Sequence, residues 1–191
     1  MNICVYGASS NTLDSSYIQA VEALGLQMAQ RGHHLVFGGG ARGLMGAAAR
    51  GVSRGGGNIV GVAPSFFNVD GILYQDCTEL IYTETMRERK QIMEDRADAF
   101  IMVPGGIGTF EEFFEILTLK QLGRHQKAIA GFNVNGFFDT MTAMIESAIQ
   151  QNFVAPPCRK LYQFFDKAED VLDYLEQYRP EPLTADQTKF I

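Results

Sequence analysis

Short apolar runs alternate with amphipathic stretches along most of the chain. Ile3–Tyr6, Leu35–Phe37, Ile59–Val62, Leu80–Tyr82, Phe100–Val103 and Ile129–Phe132 are brief and largely apolar, so they are expected as buried strands. Between them, helical periodicity predicts helices near 14–31, 43–55, 85–97, 109–123 and 137–151. Val171, Leu172 and Leu175 recur at helical spacing and predict a last packing helix over Ala168–Tyr178, with a weaker strand signal near Tyr162–Phe165. Parallel strands need a crossover between them, and a helix is the usual one. The expected fold is therefore α/β, a Rossmann-like doubly wound parallel sheet with helices on both faces. One domain over residues 1–180, followed by a tail at 181–191, accounts for the 191 residues.

Composition narrows the function classes. A hydrophobic share of 46% with 20% charged residues is that of a globular protein, and the net charge of −6 argues against a nucleic-acid-coating surface. A phosphate site here has to be local, built from backbone amides and a few basic side chains. Cys4, Cys77 and Cys158 are scattered, so neither a disulfide framework nor a zinc site is expected. No stretch approaches the length of a membrane span and the first residues enter a strand at once, so the expected location is cytoplasmic, with no membrane partner. His33 and His34 read as surface or structural residues. His125, at a helix end, is placed to meet the last carbonyls. The methionines at 28, 45, 86, 93, 102, 141 and 144 read as core filling.

Three strand ends run into glycine and small residues: Gly7-Ala8-Ser9-Ser10, the run from Gly38 to Gly46, and Pro104-Gly105-Gly106-Ile107-Gly108. A helix N-terminus at such a turn presents unpaired N–H groups and a positive dipole end, which together bind phosphate. Ser9, Gly39, Gly40 and Gly43 become candidate phosphate-site residues on this ground. The run Gly38–Gly43 fits G-x-G-x-x-G, but a dinucleotide site also wants an acidic residue about 20 positions later. Asn58–Pro64 supplies none, and the next acid is Asp70. The loop Pro64–Thr78, holding Asn68, Asp70 and Gly71, is the longest irregular piece and is placed to border a crevice. No G-x-x-x-x-G-K-[ST] loop is present.

Thr109-Phe110-Glu111-Glu112 has the form of a capping box, with Thr109 as N-cap and Glu112 three residues on. Capping alone leaves the preceding Pro104–Gly108 unexplained, because those residues strip the turn of side chains and make room for a ligand. Glu112 is therefore a site candidate as well as a cap partner. In Met86-Arg87-Glu88-Arg89-Lys90, basic charge near a helix start opposes the macrodipole. Arg89 and Lys90 become candidates for the same crevice. Arg87 and Glu88 are expected on a solvated face, and Lys90 has Glu94 as an i,i+4 alternative.

Together, the Gly38–Gly46 run, Met86–Lys90 and Pro104–Glu112 resemble the Lonely Guy (LOG) family, cytokinin riboside 5′-monophosphate phosphoribohydrolases long labelled lysine decarboxylases. The resemblance extends from the first strand to about Phe153. It implies a Rossmann-like homodimer hydrolysing the N-glycosidic bond of a plain or N6-modified AMP to free base and ribose 5-phosphate. It implies Arg89 and Glu112 as the catalytic pair. Substrate-binding positions fall on Lys90, on Gly106, Ile107, Gly108, Thr109, Phe110 and Glu111, and on Thr118, with the site near the dimer interface. Arg87 departs from the histidine frequent there, and Asp70–Thr85 matches poorly, which leaves the base pocket open. A substrate that is a nucleoside 5′-monophosphate, no metal and no cofactor complete the expectation. The alternative is a non-catalytic nucleotide or molybdenum-cofactor-type carrier, which has no need of Arg89 and Glu112 together. Lysine decarboxylation lacks a lysine in a pyridoxal-phosphate context.

Overall fold

The computed structural model describes residues 1–67, 71–181 and 187. Seven parallel strands form one sheet: β1 (Asn2–Tyr6), β2 (His34–Phe37), β3 (Ile59–Pro64), β4 (Glu79–Thr83), β5 (Ala99–Met102), β6 (Ala128–Phe132) and β7 (Gln163–Phe165). Among the described residues, six α-helices connect and follow them: α1 (Ser15–Gln30), α2 (Gly43–Arg54), α3 (Met86–Arg96), α4 (Ile107–Gln121), α5 (Asp139–Gln150) and α6 (Ala168–Gln177). Across the sheet the order is β4-β3-β2-β1-β5-β6-β7. The chain winds outward from β1 to β4, then restarts at β5 on the other side of β1. This is the expected doubly wound α/β fold, and β7 realises the weak strand signal.

Alternation along each strand sorts the core into two layers. Ile3, Val5, Leu35, Phe37, Ile59, Ala99 and Ile101 point to one face and pack with α1, α2 and α6. Cys4, Tyr6, Val36, Val62, Phe100 and Met102 point to the other, under α3, α4 and α5. Register holds this pattern in phase, because Cys4 lies opposite Val36 on one side and Phe100 on the other. Tyr6 and Phe100 stack at 6.1 Å between centroids within the second layer.

Helix boundaries follow their local chemistry. Asp14 caps α1 by accepting from the Ser16 amide. At α3 a reciprocal cap forms: Thr85 accepts from the Glu88 amide, and the Glu88 carboxylate accepts from the Glu84 amide. The box expected at Thr109 does not form. Helix α4 starts two residues earlier, at Ile107, with the extended Gly106 as N-cap and no side-chain cap. His125 donates to the Ile116 carbonyl at 2.8 Å, further back along α4 than the last carbonyls expected for it, and the buried His33 bonds Glu176 at 2.8 Å. Two methionines depart from core filling, since Met86 and Met144 are exposed. Asn68 and Asp70 lie outside the described residues, as does most of the 181–191 tail. Among the described residues, no helix is long and apolar enough to cross a membrane.

Phe100 is fully buried at the centre of the sheet, against Tyr6 and the His125 ring. Phe100→Ala is expected to cost about 3–5 kcal/mol, read as a lowered urea midpoint.

Candidate active site

Doubly wound sheets bind ligands at the carboxyl ends of their strands, where the winding direction reverses. That reversal lies between β1 and β5. The loops leaving these strands meet there, and the Ala8 amide donates to the Pro104 carbonyl at 3.0 Å. Two cavities of about 310 Å³ each open beside this junction. One is bordered by Ser9, Gly38, Gly40 and Arg89, the other by Ser10, Leu44, Pro104, Gly105, Gly106 and Phe137.

Arg89 reaches the first cavity through helical spacing. Only Arg89 and Met93 are buried on the highly charged α3, one turn apart on the face against the sheet. Met93 sits in the core, so Arg89 projects one turn further, over the strand ends. Its Nε donates to the Val62 carbonyl at 3.1 Å and its Nη1 to Glu112 Oε1 at 2.9 Å. The pair is almost out of solvent, with side-chain exposures of 7% and 12%. The Nη2 end of the guanidinium points at Gly38, where a Cβ would come within 1.8 Å of it. Any side chain at position 38 displaces the arginine. Burial pushes the Glu112 carboxyl above its usual range, and the Arg89 charge opposes that rise only in part. The carboxylate is a stronger base than an exposed glutamate.

The glycine turns divide into two kinds. At α2 the first amides are already occupied: Leu44 and Met45 donate to the Ala8 carbonyl, and Gly43 donates to Asn11 Oδ1. Gly43 has φ +58° and lies so close to Ala8 and Ser9 that a Cβ would fall 2.4 Å from the Ala8 carbonyl oxygen. Gly39 accepts from the Tyr74 amide, and Gly40 bridges to Leu73. This run therefore ties loops together, and of its candidates only Gly40 borders the cavity, with Ser9 from the neighbouring loop. At α4, by contrast, the Ile107, Gly108 and Thr109 amides open a helix without a side-chain cap, and Ile107 is 88% exposed. Thr109 turns inward beneath Gly105 and is buried.

Other candidates are placed differently. Lys90 bonds Glu111 and Glu115 rather than Glu94, and these carboxylates raise its pKa against the lowering effect of burial. Arg87 is exposed. Phe110 stacks against Phe137 at 6.5 Å, and Thr118 borders an apolar groove with Phe114, Met144 and Tyr162, away from Arg89. The sequence reading omitted Gly38, whose signal lay in the G-x-G run, and the apolar wall opposite Arg89. Met45, Phe67, Ile72 and Leu73 form that wall, three of them from the expected border loop. Cys4 takes no part as a nucleophile, since burial pushes its thiol up to about 12.

The family model described as "Possible lysine decarboxylase" matches residues 45–175. A rice protein (Oryza sativa subsp. japonica) named "Probable cytokinin riboside 5'-monophosphate phosphoribohydrolase LOGL5" is 40% identical over 98% of this chain and 76% of its own length. The Arabidopsis thaliana cytokinin riboside 5'-monophosphate phosphoribohydrolase LOG2 is 38% identical over 94% of this chain and 84% of its own. The chain belongs to the LOG family. Solved structures share the fold at lower identity. The molybdenum cofactor binding protein of Rippkaea orientalis aligns at TM-score 0.69 and 18% identity, covering 92% of this chain and 94% of its own. The molybdenum cofactor carrier protein of Chlamydomonas reinhardtii aligns at TM-score 0.69 and 19% identity, covering 92% and 96%. In this LOG-family chain the buried pair, the Gly38 cradle and the uncapped α4 turn share one sheet edge.

Removing the arginine leaves a buried carboxylate without its counter-charge. Arg89→Met is expected to raise the Glu112 pKa further, measured by carboxyl-carbon NMR. A carboxyl whose folded pKa is raised contributes fully below its ordinary 4.5, and that contribution is lost as pH rises through the folded value. The variant is therefore expected to lose about 3 kcal/mol relative to the parent at neutral pH and much less in acid.

Proposed function

We propose that this protein hydrolyses the N-glycosidic bond of a nucleoside 5′-monophosphate of the cytokinin riboside or AMP type, releasing free base and ribose 5-phosphate. The observation that carries the reading is the Arg89–Glu112 pair, 2.9 Å apart and nearly buried, whose arginine lines a ligand-sized crevice with the carboxylate directly behind it. A carrier gains nothing from a desolvated carboxylate of raised basicity, whereas a hydrolase uses one. The relatives at 38–40% identity bear phosphoribohydrolase names, and the carrier structures lie at 18–20%.

In this mechanism the substrate phosphate meets the amides of Gly106, Ile107, Gly108 and Thr109 and the positive end of the α4 dipole. Ser9 and Gly40 border the neighbouring cavity, and the Met45, Phe67, Ile72 and Leu73 wall receives the base with any apolar N6 substituent. Breaking the bond from C1′ to the base nitrogen leaves the electron pair on the base and gives the ribose oxocarbenium character. The Glu112 carboxylate stabilises that cation and takes a proton from the attacking water, whose oxygen bonds to C1′. The base gains a proton, so the net change is the addition of one water across the bond. Arg89 fixes the orientation of Glu112 and supplies a cation for the phosphate or the departing base. Glu111 holds Lys90 at the edge of the turn, and Phe110 supports the Phe137 side of the second cavity.

A homodimer in the cytoplasm completes the proposal. Phe114, Phe137 and Met144 expose an apolar face along α4 and α5 above grooves of about 410 and 310 Å³. Thr118 lies in that face, so a second copy seated there would cover it.

With AMP and isopentenyl-AMP as substrates and chromatography of the released base as readout, Glu112→Gln is expected to keep nucleotide binding and lose about 10²–10⁴ in turnover. Unchanged base release by this variant would overturn the assignment. Met144→Asp places a charge in the apolar face and is expected to shift sedimentation from dimer to monomer without lowering the helical signal.

A further inference from the structure

The inward face of α4 runs Thr109, Phe113, Ile116 and Lys120, so a core-facing row ends on a charge. Lys120 is 4% exposed. Its ammonium donates to the Leu161 carbonyl at 2.8 Å and lies 4.7 Å over the Tyr178 ring. Both partners are neutral, and no acid pairs with Lys120 among the described residues. Burial pulls the amine down to about 8, which shows how poorly its charge is compensated. A buried cation without a counter-ion favours any arrangement that supplies an anion.

Lys120 borders a cavity of about 590 Å³ between the end of α4, the 156–161 turn, β7 and α6. Lys160 and Arg179 add positive charge there, and Tyr174 and Tyr178 provide aromatic surface. Arg179 donates to the backbone carbonyls of Gln177 and Tyr178, while Lys160 is held at 3.4 Å by Glu181, the one acid lining this space among the described residues. A cationic cavity on a chain of net charge −6 selects for anions locally. Its volume lies within the range of small-molecule sites, roughly 300–1,000 Å³. On the helix, Lys120 lies eight residues beyond Glu112, about 12 Å along the axis at 1.5 Å per residue.

We propose that this cavity is a second ligand site, distinct from the Arg89–Glu112 crevice, that binds a phosphate monoester carrying a planar ring. The phosphate meets Lys120, Lys160 and Arg179, and the ring lies against Tyr174 and Tyr178. The proposal is independent of the hydrolytic reading, since none of these residues belongs to the crevice.

The test is a titration of the full chain with phenyl phosphate, followed by amide NMR, with phenol as the uncharged control. Saturable shifts at Lys120, Tyr174 and Tyr178 are expected from phenyl phosphate and not from phenol. Lys160→Ala combined with Arg179→Ala removes two surface cations and is expected to weaken this binding about tenfold, with an unchanged melting temperature and unchanged shifts at Gly106–Thr109. Lys120→Met keeps the buried volume and is expected to weaken it as well. Shifts confined to Gly106–Thr109, equal shifts from phenol, or undiminished binding by the double variant would each overturn the proposal.

Discussion

Taking a guanidinium and a carboxylate out of water together is tolerable only if each remaining hydrogen-bonding group and each contact surface is supplied by the fold. Arg89 and Glu112 set that condition. The Val62 carbonyl near the end of β3 takes the arginine Nε, the bare Gly38 just after β2 leaves room for its Nη2 end, and α4 carries the acid to it. Two strand ends and two helices must therefore hold their places for one ion pair to exist. The doubly wound sheet is what makes those places fixed, because its strands are in register and buried on both faces.

The electrostatic consequence follows from burial rather than from pairing. An arginine beside an exposed glutamate would hold the acid low. Here desolvation outweighs the attraction and leaves Glu112 raised. The same helix is charged unevenly along its length. Its first turn has amides without a side-chain cap, its second carries Glu112, its inward end buries Lys120, and its outer face carries exposed Phe114. α2 begins in a glycine turn of similar sequence, yet its first amides are spent on Ala8 and Asn11. Glycine content alone does not separate a ligand turn from a braced one, because the difference lies in which carbonyl comes near.

Much of the architecture was legible in the order of residues. Period-two and period-3.6 patterns are local, so the strands and helices could be placed from sequence, and alternation with crossovers then requires a parallel sheet. Even β7 was signalled. Boundaries were less secure: Thr109-x-x-Glu112 satisfies the capping pattern, yet the chain enters α4 at Ile107 because extended Gly106 allows it and Thr109 packs inward under Gly105. The capping pattern was met instead at Thr85 and Glu88, within a segment read for its basic charge.

By itself the sequence determined the α/β class, the elements, and the three segments from which the site is drawn, since each depends on side-chain pattern within a few residues. Only the tertiary structure decided which residues meet. Arg89 pairs with Glu112 across 23 positions, while the adjacent Lys90 is taken up by Glu111 and Glu115. Gly38 serves Arg89, Thr118 faces an apolar groove, and Lys120 ends a core-facing row beside a second cavity. The physical reason is that burial, and with it the strength of every charge in the site, is a property of packing between distant segments. No local pattern encodes it.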